Sequence, residues 1–344
     1  MGTYLNPDNS KFQESINSDI YVDKTGLITY TNSVMHTQQK CICVSRPRRF
    51  GKSMAANMLS AYYSRGCDSK ELFQNLEIAE DDQFETYLNQ YDVIFLNVQE
   101  FLSQSKNIDE MISLIRRSVL WDLLGEYPEF RYFDTSNLTR TMQDVYQQTK
   151  CPFVVIIDEW DCVFREYKTN RETQERYLDF LRDLLKDKGY IHLVYMTGIL
   201  PIKKYGTHSA LNMFDEFSMI EPGPLASYVG FTETEVQKLC GQYDMELEEV
   251  KNWYDGYSFA KALSVYSPRS VVSCMRLGKI GNYWNQTETF EALQVYIDMN
   301  FDGLKDDVLS MIAGNQVPVN IGSFTNDMTT FRSEDDVLTL LIHL

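Results

Sequence analysis

Between about residues 40 and 220 the chain alternates two patterns. Short unbroken apolar runs are followed by longer stretches whose apolar residues recur every three or four positions. Residues 40–45 (KCICVS) form the first run, and a turn rich in Arg, Pro and Gly follows it. Residues 53–65 then carry apolar side chains at 54, 58, 61 and 62, which is a helical period. Residues 91–98 make the second run and precede an amphipathic helix at 108–124. A third run at 153–157 ends on Asp158-Glu159 and leads to a helix at 174–188; further runs lie at 191–196 and 214–220.

A strand covered on both sides loses its polar alternation, so these runs predict a mainly parallel five-stranded sheet between layers of helix. From residue 226 helical patterns dominate, at 233–242, 246–252, 267–277, 289–301 and 304–313. Among them sits an aromatic cluster, residues 253–259, in which Asp255-Gly256 reads as a turn. The expected division is an α/β domain over 1–225 and a mainly helical domain over 226–344. The closing run, 338–344, reads as a core element without a cap, as in a truncated domain.

Composition narrows the chemistry. The seven cysteines form no C-x-x-C pair and the four histidines no H-x-x-x-H pair, which argues against a disulfide framework or a structural zinc site. Any metal site is expected to use oxygen donors, and that means magnesium. A net charge of −17 disfavours direct nucleic-acid binding by this segment, because a basic face would have to be built against it. No apolar stretch is long enough to span a membrane, and the first residues lack the basic and apolar regions of a signal peptide. The chain reads as cytoplasmic.

The turn after the first strand, Ser45-Arg46-Pro47-Arg48-Arg49-Phe50-Gly51-Lys52-Ser53, ends as a phosphate-binding loop does. In such a P-loop (Walker A), backbone N–H groups and a helix N-terminus surround the β-phosphate. The Lys neutralises phosphate oxygens and the Ser hydroxyl ligates Mg²⁺. Arg46 stands where the pattern G-x-x-x-x-G-K-[ST] asks for Gly. A bare G-K-[ST] arises by chance in roughly one chain in six of this length, so its context decides. Arg48 and Arg49 read equally as phosphate contacts and as solvated turn cations.

A second motif supplies that context. Residues 153–159 form an apolar strand ending in two acids, the Walker B arrangement. Asp158 is suited to hold the magnesium shell, and Glu159 to orient and polarise an attacking water. Lys52 and Asp158 are too far apart for one strand–helix–strand step, and the run at 91–98 falls between them. An extra strand there marks the P-loop branch that inserts a strand between the motif strands and uses a catalytic Glu. Thr197 falls where that branch keeps a γ-phosphate sensor, and reads equally as a strand-end cap. Trp160 and Asp161 read either as residues lining the site or, more simply, as a wall residue and a turn cap. Arg165, Arg171, Arg176, Arg182 and Arg269 are arginine-finger candidates that sequence does not rank.

With these residues in view, the chain resembles the bacterial AAA-ATPase-like P-loop family, whose members usually carry a C-terminal PD-(D/E)XK nuclease-like domain. The resemblance rests on Tyr21-Val22-Asp23-Lys24-Thr25, the loop from Arg46 to Ser53, Ile157-Asp158-Glu159-Trp160-Asp161, Thr197-Gly198-Ile199-Leu200, Ser209-Ala210-Leu211-Asn212, Gly230-Phe231-Thr232-Glu233 and the cluster from Trp253 to Phe259. In that family the loop takes the form R-P-R-R-F-G-K-S. Trp160 replaces a commoner Tyr, and Pro201 stands near a usual basic residue, with Lys203 and Lys204 the nearest cations. The nuclease-like domain would begin beyond residue 344, so no nuclease activity is expected of this chain.

Motifs and resemblance together give ATP and Mg²⁺ as cofactors. Lys52 and Glu159 are the candidate catalytic residues. Arg48, Arg49, Phe50, Gly51, Lys52, Ser53 and Met54 are the candidate nucleotide contacts, and Ser53 and Asp158 the candidate metal ligands. The expected function is Mg-dependent ATP hydrolysis coupled to conformational change, regulating the nuclease-like domain. The alternative is a nucleotide-gated interaction switch with little or no hydrolysis. The expected partners are nucleotide and either a second copy or another protein bound through 226–344, with no membrane.

Overall fold

The computed structural model describes residues 2–202, 211–259, 263–283, 303–324, 331 and 333–343. The expected helix at 289–301, Lys203, Lys204, Ser209 and Ala210 lie outside the described residues. Contacts divide the chain into two compact units: Met1–Val44 with Gly51–Gly198 and Ala210–Glu216, and Ser45–Phe50 with Ile199–Ser209 and Phe217–Leu344.

The five apolar runs become β1 (Cys41–Ser45), β2 (Asp92–Asn97), β3 (Phe153–Asp158), β4 (Ile191–Gly198) and β5 (Asp215–Phe217). They form one sheet in the order β2-β3-β4-β1-β5. β3 pairs in parallel with β2 on one edge and β4 on the other. Every residue of β1 and β3 is buried. Successive side chains point to opposite faces, so both faces of the sheet are covered. The strand separating the two motif strands is β4. β2, which lies between them in sequence, takes the outer side of β3. β4 also lies against β1, where the Val194 N–H donates to the Lys40 carbonyl at 2.8 Å.

Helix starts in this unit have a local cause. Asn97, Asn107, Asn137 and Asn170 each accept a hydrogen bond from the backbone N–H three residues on, opening Val98–Ser103, Ile108–Glu126, Leu138–Thr149 and Arg171–Leu185. Such caps are worth about 1 kcal/mol each. The word at 21–25 is also structural. Asp23 accepts from the Thr25 N–H, the Thr25 hydroxyl and the Glu77 N–H, and Thr25 Oγ1 accepts from the Ile78 N–H.

The second unit combines helices Glu233–Tyr243, Leu247–Tyr254, Pro268–Leu277, Leu304–Ile312 and Glu334–His343 with a small antiparallel sheet. That sheet runs β6-β8-β7, from Phe231–Thr232, Leu263–Tyr266 and Asp255–Phe259. The word at 230–233 is its entry. Gly230 has φ +114°, and a Cβ there would come within 2.4 Å of Val265, so no side chain fits. Thr232 and Glu235 then form a reciprocal capping box. Asp255-Gly256, read from sequence as a turn, instead begins β7, whose register against β8 shifts between Asp255 and Tyr257. Among the described residues no helix is long and apolar enough to cross a membrane.

Candidate functional site

The site in the first unit lies at the C-terminal edge of the parallel strands. Register aligns Asn97, Asp158 and Thr197 across β2, β3 and β4. Ligand sites of open α/β sheets form at this edge, where strands hand over to helix N-termini.

The helix Lys52–Tyr63 starts directly after Gly51, whose φ of +90° is left-handed. Nothing lies within 4 Å of a Cβ there, so glycine is required by backbone conformation and not by space. Lys52 is only 5% exposed. Burial pushes its pKa down, while the carboxylates of Glu159, Asp161 and Asp158 oppose that shift. Ser53 Oγ donates to Asp158 Oδ2 at 2.6 Å. The two candidate metal ligands, one from each motif, are thus already in contact. Burial raises the Asp158 pKa, opposed by the Ser53 hydroxyl and then by Lys52.

The chain turns sharply after Asp158. Glu159 has φ +53°, a conformation that costs a residue with a side chain on the order of 1 kcal/mol and is found preferentially at functional sites. Its N–H donates to Asp158 Oδ1 at 3.0 Å, and the Trp160 N–H donates to the Thr197 carbonyl at 3.2 Å. Trp160 is fully buried, 5.3 Å from the Phe164 ring, which fits a wall residue. A Cβ at Gly198 would come within 2.4 Å of Asp161 and 2.7 Å of Trp160, so β4 approaches this turn as closely as glycine allows. The Thr197 hydroxyl donates to the Val44 carbonyl at 3.0 Å, joining β4 to β1.

Asp161 corrects its sequence reading. It occupies the N-cap position of the helix Cys162–Glu166 but makes no side-chain cap bond. Its fully buried carboxylate instead pairs with Arg165, Nε to Oδ2 at 3.1 Å. Arg165 Nη2 also donates to Glu159 Oε2. Burial raises the Glu159 pKa, and Arg165 is the strongest influence against that rise. In sequence Arg165 is one of five candidate arginines that the motifs do not rank. The available signal was its spacing, four residues after Asp161 and six after Glu159, on the first helical turn beyond the motif.

The remaining loop residues belong to the second unit. Arg46 is fully buried there, its Nη1 donating to the carbonyls of Ser45 and Phe217 at 2.9 Å each and its Nη2 to that of Leu225 at 3.4 Å. Its guanidinium carbon also stands 5.9 Å from the Phe259 ring centre. The residue occupying the consensus glycine position is thus a structural anchor of that unit. Phe50 is buried with its ring 5.4 Å from that of Tyr257. Arg48 is half-buried, Arg49 is exposed with φ +68°, and Met54, on the helix Lys52–Tyr63 of the first unit, is 44% exposed.

A family comparison agrees with these motifs. Residues 9–207 match the AAA-ATPase-like family, described as "Predicted AAA-ATPase". The chain belongs to that family. A curated relative, "Uncharacterized protein in vnfD 5'region" of Azotobacter chroococcum mcd 1, is 22% identical over 280 residues, covering 78% of this chain and 51% of the relative. The chain therefore spans about half the length of that curated relative. Among solved structures, C. elegans PCH-2 overlaps 70% of this chain and 51% of its own, at 13% identity and a TM-score of 0.34. The Aeropyrum pernix ORC1 protein, solved in complex with DNA, overlaps 81% of this chain and 60% of its own, at 11% identity and a TM-score of 0.35.

Proposed function

We propose that this AAA-ATPase-like chain binds Mg-ATP between its two motifs and hydrolyses the β–γ phosphoanhydride bond. The observation that supports this most is the 2.6 Å contact between Ser53 and Asp158 beside the buried Lys52. A hydroxyl and a carboxylate are hard oxygen donors of the kind magnesium prefers. A buried ammonium is costly unless an anion accompanies it, and the phosphates of a nucleotide add to the carboxylates already near it.

In this reading Lys52 holds the β- and γ-phosphate oxygens, and the backbone N–H groups of 51–54 line the phosphates at the start of the helix. Ser53 and Asp158 hold the metal. Bound magnesium would supply neutralisation of the phosphate charge. Glu159 orients a water and accepts its proton, with its backbone held by Asp158 Oδ1. A second reading, a nucleotide-gated switch with little turnover, draws support from the Arg165–Glu159 ion pair, since a carboxylate engaged by guanidinium is a poor proton acceptor. We extend the proposal to ATP-driven conformational change that governs a nuclease-like domain of the kind the family's members usually carry, with a second copy or a protein partner engaged through 226–344.

Phosphate release from ATP by the chain is expected to require a divalent cation and to stop on chelation with EDTA. ATP binding without release at any protein concentration would favour the switch. Release that continued in EDTA would remove Ser53 and Asp158 from the role of metal ligands.

A further inference from the structure

Arg165 is the cation of the site that neither motif accounts for. It lies on the first turn after the Walker B acids, and its side chain is 15% exposed. Its guanidinium is shared between two carboxylates of different character. Asp161 is completely buried and makes no cap bond, so its pair with Nε is an anchor. Glu159 is partly exposed, at 26% of its side chain, and takes Nη2. Nη1 lies outside both pairs. Glu159 must be released from the guanidinium to work on water, and a released guanidinium needs another acceptor in the same place.

Resting on the nucleotide site proposed above, we propose that Arg165 reads the terminal phosphate of a nucleoside triphosphate. In the triphosphate-bound state it exchanges the Glu159 carboxylate for γ-phosphate oxygens while Asp161 keeps its Nε. The exchange couples two events: Arg165 gains an acceptor only a triphosphate offers, and Glu159 is freed when there is a bond to hydrolyse. A diphosphate leaves the ion pair intact. The charge pattern suits such an exchange, because Lys52 and Arg165 share the field of two acids, Glu159 and Asp161. Arginine suits it better than lysine, since its planar fork holds one acceptor through Nε while another of its nitrogens changes partner.

The test is calorimetric binding of Mg-ADP and of a non-hydrolysable Mg-ATP analogue to wild type, Arg165→Gln and Arg165→Lys. Arg165→Gln is expected to bind ADP within about threefold of wild type and the analogue about tenfold or more weakly, with Arg165→Lys between them. Equal losses for both nucleotides would reveal a merely structural residue and overturn the proposal, as would no loss for either. Should Arg165→Gln fail to fold, Glu159→Gln supplies the reverse arm. Removing the competing carboxylate should tighten analogue binding several-fold and leave ADP unchanged, and unchanged analogue binding would overturn the proposal. A wild type that binds neither nucleotide sinks the ATP site itself, a result distinct from loss of the ATP–ADP difference alone.

Discussion

Glu159→Gln is expected to lower ATP turnover by about 10²–10⁴-fold while Mg-ATP binding survives. Glutamine keeps the volume and one acceptor oxygen, so the left-handed turn after Asp158 and the bond from its N–H to Asp158 Oδ1 persist. The side chain loses the capacity to take a proton from water and the charge that pairs with Arg165. Lys52, Ser53 and Asp158 remain to hold nucleotide and metal. Single-turnover phosphate release beside equilibrium binding separates the two effects. A variant that turned over ATP within about threefold of wild type would take Glu159 out of the chemistry.

Arg46→Gly, which restores the consensus loop pattern, is expected to harm the protein. The substitution removes a buried guanidinium that donates to three carbonyls, of Ser45, Phe217 and Leu225. Carbonyls left without a donor in a buried setting cost about 1–3 kcal/mol each, and partial relaxation leaves a net loss of about 3 kcal/mol. A glycine also gives the unfolded chain more freedom to lose. For a protein of this size the apparent Tm should fall by roughly 4 °C in a thermal melt. A variant as stable as wild type that bound ATP more tightly would mean that Arg46 is an impaired loop glycine and not an anchor.

The arginine at 46 shows why part of the site was hidden. A local pattern reports only what a loop needs for phosphate, and Arg46 answers to carbonyls more than 170 residues further on. The parallel strands were legible because burial on two faces writes itself as an unbroken apolar run, most clearly in β3. The order of those strands was not, since nothing local distinguishes β2 at the edge from β4 beside β1. The hairpin β7–β8 was hidden for the opposite reason. Its first strand alternates between half-buried and exposed positions and begins on Asp-Gly, which imitates a turn. Lys52, Ser53, Asp158 and Glu159 announced themselves by their neighbours in sequence, whereas Arg165 gains meaning only when the chain folds it back onto Glu159.

The central claim is that Lys52 and its neighbours form an ATP site. Calorimetric titration of Mg-ATP into the wild-type chain, beside its Lys52→Ala variant, tests it most directly. Saturable one-site binding to wild type, with loss of binding in a variant that still melts cooperatively, is the predicted result. Equal binding by both proteins would put the nucleotide elsewhere and contradict the account, and so would a wild type that binds none.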